Sequence, residues 1–121
     1  MKDFRQLRVW EKAHRLTLAI YAATRGFPAE ERFGLTSQIR RCSASIGANI
    51  AEGCGRTGDG DFHRFLDIAM GSANELDYHL LLARDLKYLD AAKYEGLNRQ
   101  LFEVKRMLST LIRKVGTDRR G

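Results

Sequence analysis

Residues that could do chemistry are concentrated in one segment of this sequence, residues 35–75. At about 100° of rotation per residue, a helix places several of them on one polar stripe. The set comprises Ser45, Asn49, Glu52, Arg56, Ser72 and Glu75, with Arg41 beside it. Such hydroxyl, amide and charged groups could bind a ligand or a nucleotide, or they could form a hydrogen-bonded network between helices or subunits, because buried charges must be paired. We favour the network.

The helix that carries this stripe also has a face with almost no side-chain volume. This close-packing face consists of Ala44, Gly47, Ala48 and Ala51. A solvated face would be rich in charged residues, whereas small residues let another backbone approach closely. The following helix carries a second apolar set outside its main stripe, at Ile68, Gly71, Leu82 and Leu86. We therefore expect a second copy of the chain to cover these faces.

Signatures of catalysis and of metal binding are weak. Glu75 and His79 lie four residues apart on one helical face, but the sequence has no second pair of the kind that bundle metal sites require. Gly53, Gly55 and Gly58 match G-x-G-x-x-G, yet they follow a helix and not a strand, so they indicate a chain reversal and not a phosphate cradle. No serine lies in a nucleophile-elbow context. We predict a non-catalytic protein without metal or cofactor.

Helices must position these residues, because the apolar residues recur at helical spacing and the chain has a single proline. The predicted helices cover residues 4–24, residue 35 to a glycine-rich turn at 53–60, residues 60–87 and residues 91–115. We expect Asp59 and Asp90 to cap the third and fourth helices and Gly116 to end the fourth. Short connections predict an all-α, antiparallel up-down-up-down four-helix bundle, with one domain over residues 1–115 and a basic tail at 116–121.

The positive charge is concentrated at the two ends of the 121-residue chain, which has a formal net charge of +6. Residues 1–41 and residues 91–121 each have a net charge of +5, whereas residues 42–90 have −4. This asymmetry predicts contact with the phosphates of RNA or DNA. The candidate contacts are Arg5, Arg8, Lys12, Arg15, Arg40, Arg41, Arg99, Arg106 and Arg113. The alternative is a protein-interaction scaffold whose basic surface meets an acidic partner or none.

The two cysteines predict a reducing environment. Cys42 and Cys54 are twelve residues apart on one predicted helix, hence about 18 Å apart, which is beyond the ~7 Å Cα limit of a disulfide. No apolar run approaches the ~18 residues of a transmembrane helix, and the N-terminus lacks the apolar core of a signal peptide. We therefore expect a cytoplasmic protein without membrane contact.

Short motifs within and upstream of residues 35–75 resemble a known family. The motifs are SIGANIAEG at 45–53, DF at 61–62, FLDIA at 65–69 and GSANEL at 71–76, with FP at 27–28, FGL at 33–35 and QIRR at 38–41. With these motifs the chain resembles the four-helix-bundle proteins first noticed as reading frames inside the intervening sequences of bacterial 23S ribosomal RNA genes. Most members of that family have no assigned biochemical role.

The resemblance implies the four-helix fold and adds an expectation about assembly. A structurally similar relative of the family is the accessory variability protein of diversity-generating retroelements, a basic pentameric barrel that works with a reverse transcriptase and RNA. By resemblance, we expect this chain to form a homopentamer, with RNA or DNA and a reverse transcriptase as candidate partners.

Overall fold

Four α-helices carry the apolar stripes that the sequence predicts. In this computed structural model, which describes residues 2–120, they are α1 (Arg8–Thr24), α2 (Leu35–Cys54), α3 (Asp59–Asp85) and α4 (Ala91–Arg120). Short 3₁₀ helices precede α1 and α2, at Phe4–Gln6 and Ala29–Glu31, and residues 2–120 contain no strand. None of these helices has a stretch long and apolar enough to cross a membrane.

The core lies where the four apolar stripes meet. Leu16, Ile46, Leu76 and Leu108, one from each helix, are fully buried. Burial of each such side chain contributes about 1.5–3 kcal/mol of transfer free energy. Helix α1 packs against α2 and α4, and α3 packs against the same two helices, so the helices follow one another around the bundle. The prediction of an all-α, antiparallel four-helix bundle is confirmed.

Glu31 fixes the start of α2, because Gly34, the N-cap residue, has no side chain to do so. The Leu35 N–H donates to Glu31 Oε1 at 3.0 Å, and the Tyr88 hydroxyl donates to Glu31 Oε2 at 2.9 Å. These bonds favour the carboxylate, so first the Leu35 bond and then the Tyr88 bond lower the pKa of Glu31. A Cβ at position 34 would lie 2.7 Å from Glu31 Oε1, so glycine leaves room for this contact.

The observed helix starts differ from the predicted ones in two places. The predicted helix over residues 4–24 is interrupted, because Leu7 is extended (φ −83°, ψ 125°) between the 3₁₀ turn and α1. Asp59 is the first residue of α3 and does not cap it; Gly58 occupies the N-cap position, and no side-chain cap bond forms there. The cap at Asp90 is confirmed, since the Lys93 N–H donates to Asp90 Oδ1 at 2.8 Å.

The helix ends show why a glycine is neither required nor sufficient for termination. Helix α3 ends without glycine: Lys87 adopts φ 67°, and the Tyr88 N–H donates to the Ala83 carbonyl at 2.9 Å in a Schellman motif. Helix α4 continues through Gly116 to Arg120, so the predicted stop at Gly116 is wrong. An interior glycine costs a helix only about 1 kcal/mol. The tail predicted at 116–121 is therefore helical as far as Arg120, and residue 121 lies outside the described residues.

Candidate functional site

The first and last helices leave a groove between them that collects most of the predicted basic residues. Beside the N-terminal half of α1, the groove consists of two cavities of about 340 Å³ and 300 Å³ that share Glu103. This α1/α4 groove is lined by the cations Arg8, Lys12, Arg15, Arg99, Arg106 and Lys114, with Leu7, Val9, Met107 and Leu111 supplying apolar surface. The groove therefore combines apolar and cationic surface.

Acidic residues only partly neutralise these cations. Glu103 Oε1 lies 3.7 Å from Lys12 Nζ and 3.8 Å from an Arg106 guanidinium nitrogen, and Glu11 lies 3.1 Å from Arg15. Each side chain in these pairs is at least 41% exposed, and exposed ion pairs contribute only about 0–1 kcal/mol. Six cations against two carboxylates leave a net charge of +4, and the cations are held weakly enough to change partners.

The same groove becomes apolar toward the C-terminal end of α1. A third cavity of about 360 Å³ shares Gln100 with the cationic part, and small and aliphatic side chains form most of its lining. Those residues are Ala19, Ala22, Ala23, Gly96 and Leu97, with Lys93 at the edge. No aromatic ring lines any of the three cavities. A ligand bound along the groove would thus contact cations beside the N-terminal half of α1 and apolar side chains beside its C-terminal end.

Four predicted basic residues lie outside this groove. Arg5 pairs with Asp3 at 3.5 Å before α1, and Arg113 donates to Ser109 Oγ at 3.2 Å on α4. Arg40 and Arg41 border a separate cavity of about 400 Å³. The structure thus brings five of the nine predicted cations into one groove.

Arg40 has a structural task at the end of α1. Its Nε donates to Thr24 Oγ1 at 2.8 Å, and a terminal guanidinium nitrogen donates to the Tyr21 carbonyl at 3.3 Å. The guanidinium also lies 4.7 Å from the centre of the Tyr21 ring. A cation at a helix C-terminus stabilises the exposed carbonyls there. Arg40 is therefore already engaged in the folded chain.

The polar set on α2 and α3 separates into three groups and does not form one network. Ser45 Oγ and Ser72 Oγ are 2.9 Å apart and join the two helices, and the Asn49 side-chain amide donates to Ser45 Oγ at 2.9 Å. Arg56 and Glu52 pair at 2.8 Å within α2, with side chains 44% and 55% exposed. Only the Ser45, Asn49 and Ser72 group is the interhelix contact that the sequence predicts.

The third group contains Glu75, His79 and Cys42, and Cys42 is not among the predicted site residues. Cys42 Sγ lies 3.7 Å from His79 Nδ1, and that nitrogen lies 3.9 Å from Glu75 Oε2. Burial, followed by the neighbouring Glu75 carboxylate, raises the pKa of the Cys42 thiol to about 12. The cluster lies at the α2/α3 seam, the line of contact between α2 and α3 on the side of the bundle away from the α1/α4 groove.

The close-packing face of α2 is only partly covered by its own chain. A Cβ at Gly47 would lie 3.4 Å from the Trp10 indole nitrogen, so α1 approaches there. Ala44 and Ala48 are exposed, and Ala51 is half-buried. On α3, Ile68 and Leu86 are exposed, Leu82 is half-buried, and a Cβ at Gly71 would meet no atom within 4 Å. Residues 2–116 therefore leave Ala44, Ala48, Ile68 and Leu86 exposed on these faces.

Sequence reasoning missed two residues at these sites. Lys114 was not counted among the candidate cations, although it lies four residues beyond Thr110 and eight beyond Arg106 on the same side of α4. Cys42 was not considered as a site residue, because its distance from His79 follows from the antiparallel register that the Ser45–Ser72 contact sets. The spacing within α4 could have identified Lys114. Identifying Cys42 required the register between α2 and α3.

Comparison with known proteins finds relatives over most of the chain. Residues 5–110 match the family described as 23S rRNA-intervening sequence protein. The chain is also similar to a crystal structure of a protein with unknown function from the S23 ribosomal protein family of Bacteroides thetaiotaomicron VPI-5482. That match has a TM-score of 0.80 and 30% identity, and it covers 87% of this chain and 95% of the other. No curated protein matches the sequence.

Proposed function

We propose, from the premise that this chain belongs to the 23S rRNA-intervening sequence protein family, that it is a non-catalytic oligomeric bundle protein that binds the phosphate backbone of RNA or DNA. The observation that carries the proposal is the net charge of +4 in the cationic part of the α1/α4 groove. The groove is the binding surface in this proposal, and Lys114 joins the cations that the sequence suggests.

The spacing of the cations suits a polymer. At 1.5 Å per residue, Arg8 to Arg15 span about 10 Å of α1, and Arg99 to Lys114 span about 22 Å of α4. A strand in the groove therefore places several phosphates near cations from both helices. Because the lining has no aromatic ring, a stacking platform for bases is lacking, so the contacts position the backbone without reading sequence.

Phosphate binding is favourable at low salt because the cations of the groove can exchange their carboxylate partners for phosphates. Glu103 holds Lys12 and Arg106 only through exposed contacts of 3.7 and 3.8 Å. A phosphate that takes its place forms charge-assisted bonds, and the polymer releases its condensed counterions. Affinity should accordingly fall steeply as salt rises.

The proposal includes assembly on the opposite side of the bundle. The uncovered small residues of α2 and the exposed apolar residues of α3 lie on the two helices that do not line the α1/α4 groove, so copies that meet there leave each groove open. Several grooves in one assembly would multiply weak contacts into useful avidity. Three further parts of the proposal rest on the resemblance: the pentameric number, the similarity to the accessory protein of diversity-generating retroelements, and a reverse transcriptase as partner. A cytoplasmic location is proposed from the two cysteines, which cannot bridge each other within one helix.

The test is a salt titration of binding to fluorescently labelled structured RNA, single-stranded DNA and duplex DNA. Arg106→Ala should reduce the slope of log K against log salt by about 0.7–0.9, the contribution of one phosphate contact. Arg64→Ala is the matched control on α3: each arginine pairs with an acid three residues earlier at 3.8 Å, and the two side chains are 59% and 58% exposed. The control should keep the wild-type slope.

A protein-interaction scaffold is the second candidate. The apolar end of the α1/α4 groove favours it, because that surface suits a helix of an acidic partner. Absence of binding to all three nucleic acids at low salt, with the assembly intact by light scattering, would overturn the nucleic-acid proposal and support the scaffold.

A further inference from the structure

Three side chains of types that bind zinc meet at the α2/α3 seam, outside the α1/α4 groove. Cys42 comes from α2, and Glu75 and His79 come from successive turns of α3. Cys42 Sγ lies 3.7 Å from His79 Nδ1, which lies 3.9 Å from Glu75 Oε2, and the three ligand atoms all lie within 4.8 Å of one another. Helix α3 supplies Glu75 and His79, and the packing of α2 against α3 brings the Cys42 thiol close to them.

The distances are close to those of tetrahedral zinc coordination. With Zn–S bonds of about 2.3 Å and Zn–N or Zn–O bonds of about 2.0–2.2 Å, sulfur and nitrogen are about 3.6 Å apart, and nitrogen and oxygen about 3.4 Å apart. The distance of 3.7 Å between Cys42 Sγ and His79 Nδ1 already matches this value. The carboxylate must approach by roughly 1.2 Å at most, and the Glu75 side chain, which is 52% exposed, is free to do so.

We propose that Cys42 Sγ, His79 Nδ1 and the Glu75 carboxylate bind one Zn²⁺ per chain, with water in the fourth position. Thiolate and imidazole ligands favour zinc over magnesium or calcium, which prefer oxygen alone. On binding, the S–H bond of Cys42 breaks, a Zn–S bond forms, and the proton leaves to solvent. In the single chain, the exposed carboxylate gives the ion and the water a route to the half-buried imidazole.

The proposed ion would cross-link α2 to α3. Cys42 lies one helical turn from Ser45, whose hydroxyl contacts Ser72 at 2.9 Å, so the ion would strengthen an existing contact between these helices. A ligand that binds only the folded chain stabilises it by mass action. At a free zinc concentration about 100 times Kd, we expect the melting temperature to rise by on the order of 10 °C.

The experiment uses the full chain, stripped by a chelator and kept reduced, and titrated with Zn²⁺ by calorimetry. Co²⁺ is titrated in parallel, because a bound thiolate gives a charge-transfer absorption band that carboxylate and imidazole ligands do not. We expect one ion per chain, a thiolate–cobalt band and a zinc-dependent rise in melting temperature. Binding without the thiolate band, or no stoichiometric binding, would overturn the proposal.

Variants identify the ligands. His79→Ala and Cys42→Ser should weaken zinc binding by more than the roughly 10–100-fold that an outer-shell partner costs, and Glu75→Gln should weaken it less. If the buried Cys42→Ser variant does not fold, His79→Ala, at a partly exposed position, provides the same test.

Two matched controls exist in the same chain. His63 and Asp67 repeat the His–carboxylate pair at 3.3 Å and four-residue spacing on α3, and Cys54 is a second buried thiol on α2. His63→Ala and Cys54→Ser should keep wild-type zinc affinity. An affinity that is unchanged in His79→Ala, or that falls equally in the controls, would contradict the assignment.

Discussion

Replacing Gly53 with alanine should force α2 and α3 apart near the turn that joins them. A Cβ at this position would lie 2.9 Å from Phe65 Cβ, closer than real Cβ atoms come to a neighbour, and 3.0 Å from Phe62 Cδ1, which is tighter than most real Cβ contacts. It would also lie 3.5 Å from the Phe62 carbonyl oxygen. Phe62 is part of the core and is only 3% exposed, so its ring has little space into which it can move.

The expected loss of stability is the difference between two opposing effects. Overpacking a close contact of this kind costs about 1–3 kcal/mol. Alanine recovers up to about 1 kcal/mol through its better helix propensity and the smaller entropy of the unfolded chain, although less near a helix end. Gly53→Ala should therefore lower the free energy of unfolding by about 1–2 kcal/mol, which corresponds to a fall of about 4–8 °C in melting temperature.

The matched control is the same substitution at Gly96 in α4. A Cβ there would meet no heavy atom within 4 Å, so Gly96→Ala should stabilise the chain by about 0.5–1 kcal/mol. Urea and thermal unfolding, followed by circular dichroism, measure both variants. If Gly53→Ala proved as stable as the wild type or more stable, α2 and α3 would have space for a Cβ at position 53. That result would refute the expectation of overpacking.

Two further predictions concern carboxylates. Glu31→Gln should destabilise the protein at neutral pH, because hydrogen bonds lower the pKa of Glu31. This stabilisation is complete above the ordinary value of 4.5 and is lost as pH falls through the lowered pKa, so unfolding midpoints of variant and wild type should converge in acid. Glu52→Ala should cost at most about 1 kcal/mol, because its pair with Arg56 is exposed. A loss of about 3–5 kcal/mol that appears only at high protein concentration would show that a second copy buries the pair.

Local signals in the sequence are enough to locate the helices. Apolar residues at helical spacing mark the buried stripe of each helix, and the core residues Leu16, Ile46, Leu76 and Leu108 all lie on such stripes. Asp90 caps α4 as its residue type indicates. These features depend on residues within a few turns of one another, which is why they can be read without the tertiary structure.

Helix boundaries were predicted less well where neighbouring segments decide them. Asp59 does not cap α3, since the loop backbone places Gly58 at the N-cap position. Lys87 ends α3 in a left-handed conformation, and Gly116 does not end α4. At such positions the residue type changes the free energy of a helix end by only about 1 kcal/mol. Contacts with neighbouring segments can therefore override it.

The sequence by itself determined that the chain is helical, that its positive charge lies near its two ends, and that α2 and α3 have unusual second faces. Only the tertiary structure decided which residues share a site. Because α1 lies beside α4, Arg8 lines the same cavity as Arg106 and Lys114. Arg40 instead donates a hydrogen bond to Thr24 at the end of α1. Helical periodicity specifies the face on which a residue lies, but the neighbouring helix and its register depend on packing between segments far apart in the chain.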